Sequence, residues 1–204
     1  MVAVFAVALA AFLFLPPASA QTDPLAGIRI EPEASVSYNR ARDYGGWLRM
    51  SAPYNRCFNV RDQVLAEEST KSRFKFDEPE TGWRCKITAG SWKDAYTGNR
   101  ATDPKELDID HLVPLKEAHL SGGHRWSKEK RKEYANFLRD PNHLIAVDFS
   151  ENRKKGDKDP PNYMPPNDAY HCTYLRNWIA VKRRWELSMD SAEAVFIRDR
   201  YSAC

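Results

Sequence analysis

The stretch that most constrains this chain is residues 106–160, which reads ELDIDHLVPL, then a basic connector, then NHLIAVDFSENRKKGDKDP. Leu107, Ile109, Leu112, Val113 and Leu115 surround the pair Asp110-His111, and the apolar spacing predicts a β-strand that ends at the pair. Residues 142–149 form a second run of strand length and strand composition. Ser150 is then placed to cap a short polar helix that carries Asn152, Arg153, Lys154 and Lys155. The predicted order is strand, loop, strand, helix. It brings an acidic residue, a histidine and an asparagine toward one place.

The rest of the chain sets the context for that unit. At 204 residues, with 42% hydrophobic and 12% aromatic, it is long enough to bury a core as one domain. Its formal net charge is only +3, so overall charge does not identify a partner. Residues 1–20 have the pattern of a secretory signal peptide: an apolar run, then Pro16-Pro17, then the small-residue site Ala18-Ser19-Ala20. That run, at about 14 residues, is shorter than the ~20 a membrane span needs. Cleavage after about Ala20 and a secreted or extracytoplasmic location, with no membrane span remaining, are the expectation. The usual basic start of a signal peptide is missing. Four cysteines without a CxxC pair fit two disulfides in an oxidising compartment. Of the three connectivities, Cys57–Cys85 with Cys172–Cys204 closes moderate local loops and is preferred.

Residues 21–50 read as a loosely held lead-in, of which 38–47, with its aromatics and two arginines, is expected to pack onto the body, and residues 51–204 read as one domain. Within the latter, Asn59 is expected to cap a helix to about residue 69. Phe74 and Phe76 alternate, residues 79–82 form a turn, residues 83–92 form a second β-like run, and Tyr96-Thr97-Gly98-Asn99 reads as a turn. A charged helix is expected over about 127–138. Asn167 is expected to open a long helix to residue 185, with Tyr170, Tyr174, Leu175, Trp178, Val181 and Trp185 on one core-facing side. Asp190 and Glu193 read as a capping-box variant opening a last helix to about residue 200.

The chemistry of residues 106–160 follows from their types. Cleaving a phosphodiester with water needs a base for the water's proton and a cation for the charge growing on oxygen. Neutral histidine suits the first role, since its ordinary pKa of about 6.5 lies near working pH. Hard divalent ions prefer oxygen ligands, which Asp110 and the Asn152 amide offer. Neighbours on a strand point to opposite faces, so Asp110 and His111 can address one phosphate only at a strand end or bulge. A zinc cluster of His111, His119, His124 and His143 matches no compact zinc spacing.

The string Asp108-Ile-Asp110-His111-Leu-Val-Pro114, with Asn142-His-Leu-Ile and Glu151-Asn152-Arg153-Lys154-Lys155-Gly-Asp157, resembles HNH nucleases of the ββα-metal (His-Me finger) superfamily. It is similar to the HNH domain of the RNA-guided CRISPR nuclease and to the C-terminal nuclease domain of GmrSD-type restriction endonucleases. The greatest likeness is to exported bacterial and fungal proteins bearing that last domain. The resemblance implies an α+β fold: a ββα-metal core over about 106–160, an N-terminal α/β lead-in and C-terminal helices. It implies His111 as general base, Asp110 and Asn152 as ligands of one Mg2+ or Mn2+, and Asn142 as a residue that fixes the loop or the base. Lys155, with Arg153 and Lys154, would touch substrate phosphate. Because the finger helix has no histidine pair, a loosely held, hydrated Mg2+ is expected rather than tightly bound Zn2+. The expected partner is nucleic acid, with DNA favoured and RNA the alternative. No module that reads base edges is visible, so cutting without sequence preference is expected. The basic stretches 124–132, 153–158 and 182–184 are candidates for lining a groove. The competing reading is a noncatalytic exported binding domain that keeps the finger only as a fold.

Overall fold

A computed structural model describes residues 23–52, 56–70, 75–77 and 85–204. The expected signal peptide, Phe74 and the turn at 79–82 lie outside these residues.

The apolar runs around Asp110 form the two strands predicted for them. Strand β5 (Leu107–His111) pairs antiparallel with β6 (Leu144–Asp148), in a register that sets Asp108 opposite Val147, Asp110 opposite Ile145 and His111 opposite Leu144. Helix α5 (Phe149–Lys155) follows β6 and packs back across the pair, which completes the ββα unit. Its cap is Asp148, two residues earlier than expected. The Asp148 carboxylate accepts from the backbone N–H groups of Ser150 and Glu151, so Ser150 becomes part of the first turn. The second strand starts at Leu144 because Asp140 ties residues 142 and 143 into a turn.

Around this unit lie four shorter strands, β1 (Lys75–Asp77) with β2 (Lys86–Ala89) and β3 (Trp92–Lys93) with β4 (Arg100–Ala101), as two antiparallel pairs. The helices are α1 (Arg40–Asp43), α2 (Val60–Glu68), α3 (Leu115–Leu120), α4 (Lys128–Ala135), α6 (His171–Arg184) and α7 (Ser191–Tyr201). The result is an α+β fold with small antiparallel sheets. Asn59 caps α2 through the Asp62 N–H, as expected. Helix α6 begins after a short 3-10 turn at 168–170, because the Asn167 side chain donates to the Ala95 carbonyl instead of capping. Asp190 caps α7, but the Glu193 carboxylate does not reach back to it. It is buried against Lys182 and the Trp178 indole N–H.

Alternation along β5 and β6 divides the interior in two. Leu107, Ile109, Leu144 and Ala146 face a core with Phe58, Val60, Val64, Leu65, Ile87 and Trp92. Ile145 and Val147 face the larger core with Tyr96, Tyr134, Tyr174, Trp178 and Trp185. The segment read as a loose lead-in is held in place over its described residues. Leu25 and Tyr44 are buried, Ile30 bridges to Met189, and Arg183 donates to the carbonyls of Pro24 and Ala26.

Both expected disulfides are present, Cys57–Cys85 and Cys172–Cys204, and no described cysteine is free. They close loops with separations of 28 and 32 residues. Loops of this length predict that reduction lowers stability by about 3 kcal/mol per bridge. Denaturant unfolding with and without reductant measures this. A thiol titration of the native protein is expected to find no free thiol.

The open edge of β6 is met by a carboxylate. Ala146 N–H donates to Glu68 Oε2 at 3.0 Å, while Glu68 Oε1 is sealed from water without a partner. Burial pushes this carboxyl up to about 8. Because its folded pKa is raised, the stability it contributes is complete below about pH 4.5 and is lost as pH rises toward 8. Glu68→Gln should flatten that decline and raise stability at pH 8 by roughly 2 kcal/mol. Denaturation midpoints at pH 5 and pH 8 test it.

Candidate active site

The Asp110-His111 pair sits at the last two positions of β5, where the chain leaves the sheet toward Pro114. The two side chains leave opposite faces of the strand, yet both line one cavity of about 330 Å³. Tyr38, Arg40, Lys116 and Asn152 line it too. A strand end is where this geometry is possible.

His111 is 6% exposed. Its Nε2 lies 2.9 Å from the Ala135 carbonyl oxygen. A carbonyl only accepts, so Nε2 carries the proton and Nδ1 holds the lone pair. The ring stacks on Trp47, with centroids 5.3 Å apart and planes 8° from parallel. Burial holds its pKa well below the ordinary value, with His143, Arg40 and Lys155 acting in the same direction, so the imidazole is neutral. Trp47 is itself covered by the Arg40 guanidinium at 5.7 Å.

Asp110 occupies the other face. Lys155 Nζ contacts its two oxygens at 2.9 and 2.7 Å and also donates to the His111 carbonyl. Tyr96 donates its hydroxyl to Asp110 Oδ2 at 2.6 Å. Lys155 is 0% exposed. Burial raises the carboxyl of Asp110 and lowers the ammonium of Lys155, and the contact between them opposes both shifts. An ammonium with three acceptors has no N–H left for a ligand, so the expectation that Lys155 faces substrate is not met in this arrangement. Helix α5 turns it inward.

The other expected site residues divide. Asn152, half-buried, lines the cavity and donates to Asp108 Oδ2 at 3.3 Å, which leaves its amide oxygen as an acceptor. Arg153 and Lys154 are exposed and do not line the cavity. Arg153 lies over the Phe149 ring and Lys154 pairs with Glu151. Asn142 is also outside the cavity. Its side-chain oxygen accepts from Asn177 at 2.9 Å, so it ties the turn before β6 to α6. His143 is buried with Nε2 at the Tyr134 carbonyl, and burial lowers its pKa to about 4.

The oxygens near the cavity, from Asp108, Asp110 and the Asn152 amide, are the hard donors that Mg2+ takes. Among the described residues no group of three or more His, Cys, Asp or Glu is gathered as a metal cluster. The donor set thus fits a weakly held, largely hydrated ion. Both Asp110 oxygens are already engaged, by the Lys155 ammonium and the Tyr96 hydroxyl, so an ion there would have to share them.

The sequence alone did not place Arg40, Trp47 or Tyr96 here. Arg40 and Trp47 come from the segment read as lead-in, and Tyr96 from what reads as a simple turn. The three aromatics and two arginines of residues 38–47 signalled packing onto the body but not a place beside His111.

A ββα finger with a buried neutral histidine, two carboxylates and an asparagine at its open end is the arrangement of the HNH nuclease class. Residues 37–199 match the family described as "GmrSD restriction endonucleases, C-terminal domain", and the chain belongs to that family. It is also 33% identical over 190 residues to an "Uncharacterized secreted protein" of Arthroderma benhamiae, covering 93% of this chain and 87% of that one. No solved structure matches the chain significantly.

The buried pair generates a prediction. Lys155→Met leaves a charged Asp110 without its partner and should cost about 3–5 kcal/mol. Adding Asp110→Asn to that variant should restore much of the loss. Urea unfolding of the two single variants and the double variant measures the coupling.

Proposed function

We propose that this chain is an exported, metal-dependent nuclease that hydrolyses phosphodiester bonds in DNA, with RNA as the alternative substrate. The observation that carries the reading is His111: neutral, fixed through Nε2–H on the Ala135 carbonyl, stacked on Trp47, and lining a cavity with Asp110 and Asn152. A base must be unprotonated and held still before the reaction; burial does the first and these contacts do the second.

In this reading, water bound in the cavity gives a proton to His111 Nδ1 as its oxygen bonds to phosphorus, and the bond to the 3′ oxygen breaks. The Ala135 carbonyl and the Trp47 face favour the imidazolium that forms. Arg40 and Lys116 line the cavity as cations for the substrate's phosphates, with Lys116 also paired to Asp157. Asp110 and Asn152 would hold the divalent ion, Mg2+ or Mn2+, whose charge stabilises the scissile phosphate as it becomes more negative. Buried Lys155 would orient Asp110 through both carboxylate oxygens. The signal-peptide pattern, the two disulfides and the secreted relative support export. Among the described residues no helix is long and apolar enough to cross a membrane.

A noncatalytic binding domain is the competing reading, and one observation favours it: both Asp110 oxygens already have partners. A plasmid-nicking assay separates the two. Nicking is expected with Mg2+, none with EDTA, and a loss of at least about a hundredfold in His111→Ala with folding intact. Full activity in that variant would remove His111 as the base. No cutting of DNA or RNA with any divalent ion would favour the binding domain.

A further inference from the structure

Two basic stretches far apart in the sequence meet at a second cavity. This one, about 430 Å³, is lined by Arg29, Arg125, Lys130 and Arg183, together with Glu186 and Gly122. It shares no lining residue with the catalytic cavity. Gly122 lines it at φ +129°, and a Cβ there would come 2.9 Å from Arg125 Nη2 and 3.9 Å from Arg29 Nη2. The absence of a side chain therefore lets two guanidinium groups approach the same stretch of backbone.

The cations are not fully neutralised by their neighbours. Glu31 pairs with Arg29 at 2.9 Å and reaches Arg125 only at 3.6 Å. The other arginine contacts go to backbone: Arg29 to the Glu186 carbonyl, and Arg183 to the carbonyls of Pro24 and Ala26. Lys130 lies over the Trp126 ring at 5.2 Å. Four cations thus face two carboxylates, Glu31 and Glu186. Like charges brought this close are costly unless an anion can lie between them.

The place of this cavity relative to the catalytic one identifies the anion. Lys116 lines the catalytic cavity and, with Tyr38, also a shallow surface formed by residues 34–38 and Leu120. Ser121 and Gly122 then follow directly. The path runs along α3, whose six residues Leu115–Leu120 span about 9 Å at the rise of a helix. Each strand of a duplex advances about 3.4 Å along the axis per phosphate. A strand whose scissile phosphate sits by His111 would reach the basic cavity within a few nucleotides.

We infer that the cavity at Arg29, Arg125, Lys130 and Arg183 is a second phosphate subsite, which holds the backbone of the same nucleic-acid strand a few nucleotides from the cut. This rests on the nuclease reading and adds where the strand runs. Arg29 lies before the family match at 37–199, so one wall of the subsite is contributed by the segment that precedes it.

The test is binding of a 20-nucleotide single strand by the full mature chain in EDTA, compared with hydrolysis of bis(p-nitrophenyl) phosphate with Mg2+. That probe is too small to reach the second cavity. The double variant Arg125→Glu/Lys130→Glu should bind the strand about tenfold more weakly, with a salt slope shallower by about two. Its hydrolysis of the small diester should stay within about twofold of the parent. Lys93→Glu/Lys105→Glu carries the same net charge change outside the groove and should lose much less affinity. Equal loss in both double variants, or no loss in the first, overturns the subsite. So does a loss seen for heparin but not for the oligonucleotide. If the parent cleaves the small diester but does not bind the strand, the subsite falls and the hydrolase reading stands. If it binds in a way that depends on Arg125 and Lys130 but cleaves nothing, the subsite stands and the catalytic reading falls.

Discussion

The structure depends first on one buried ion pair. Lys155 comes from the last turn of α5, Asp110 from the end of β5, and Tyr96 from the turn before β4. Their contacts lock the finger helix to its sheet and that sheet to the N-terminal half. Two charges removed from water are a net stabilisation only when every donor and acceptor is used. Here Lys155 has three acceptors and Asp110 has a hydroxyl as well as the ammonium. The pair therefore fixes the direction of the strand end, and with it the position of His111 on the opposite face.

A similar solution occurs at the other end of the protein. Lys182, fully buried, is bound by Glu117 of α3, Glu193 of α7, Ser121 Oγ and the Ser188 carbonyl. It joins the helix that follows the Asp-His strand to the two C-terminal helices. Both lysines belong to basic stretches that look like solvated, ligand-facing charge. Each is instead the hub of a polar network inside an apolar core, and the residues beside them carry the exposed charge.

This explains which parts of the fold and site were legible. Strand alternation at 107–111 and 144–148, the helix at 171–184 and the cysteine pairing follow from local periodicity and loop length, and these were read closely. The face on which a lysine of a short helix lies depends on tertiary packing, and there the sequence pattern misled: Lys155 and Lys182 point inward. Asn142 was placed in the site by the family resemblance, whereas its side chain is held by Asn177, 35 residues away. Trp47 and Arg40 were not legible at all as neighbours of His111. Their segment has no period of its own and acquires its position by stacking on a ring 64 residues later in the chain.

The crosslinks close their loops in series. One lies wholly before β5, and the other begins beyond α5, so neither encloses the ββα unit. The covalent restraints belong to the flanks, and the candidate site sits in an uncrosslinked middle held by hydrogen bonds, ion pairs and apolar packing. Oxidative folding of the flanks and assembly of the finger are therefore topologically separable. Wrong cysteine pairing across that middle, such as Cys85 with Cys172, would thread the finger inside a loop it does not natively occupy. The order in which the thiols close thus bears on whether the finger forms without constraint.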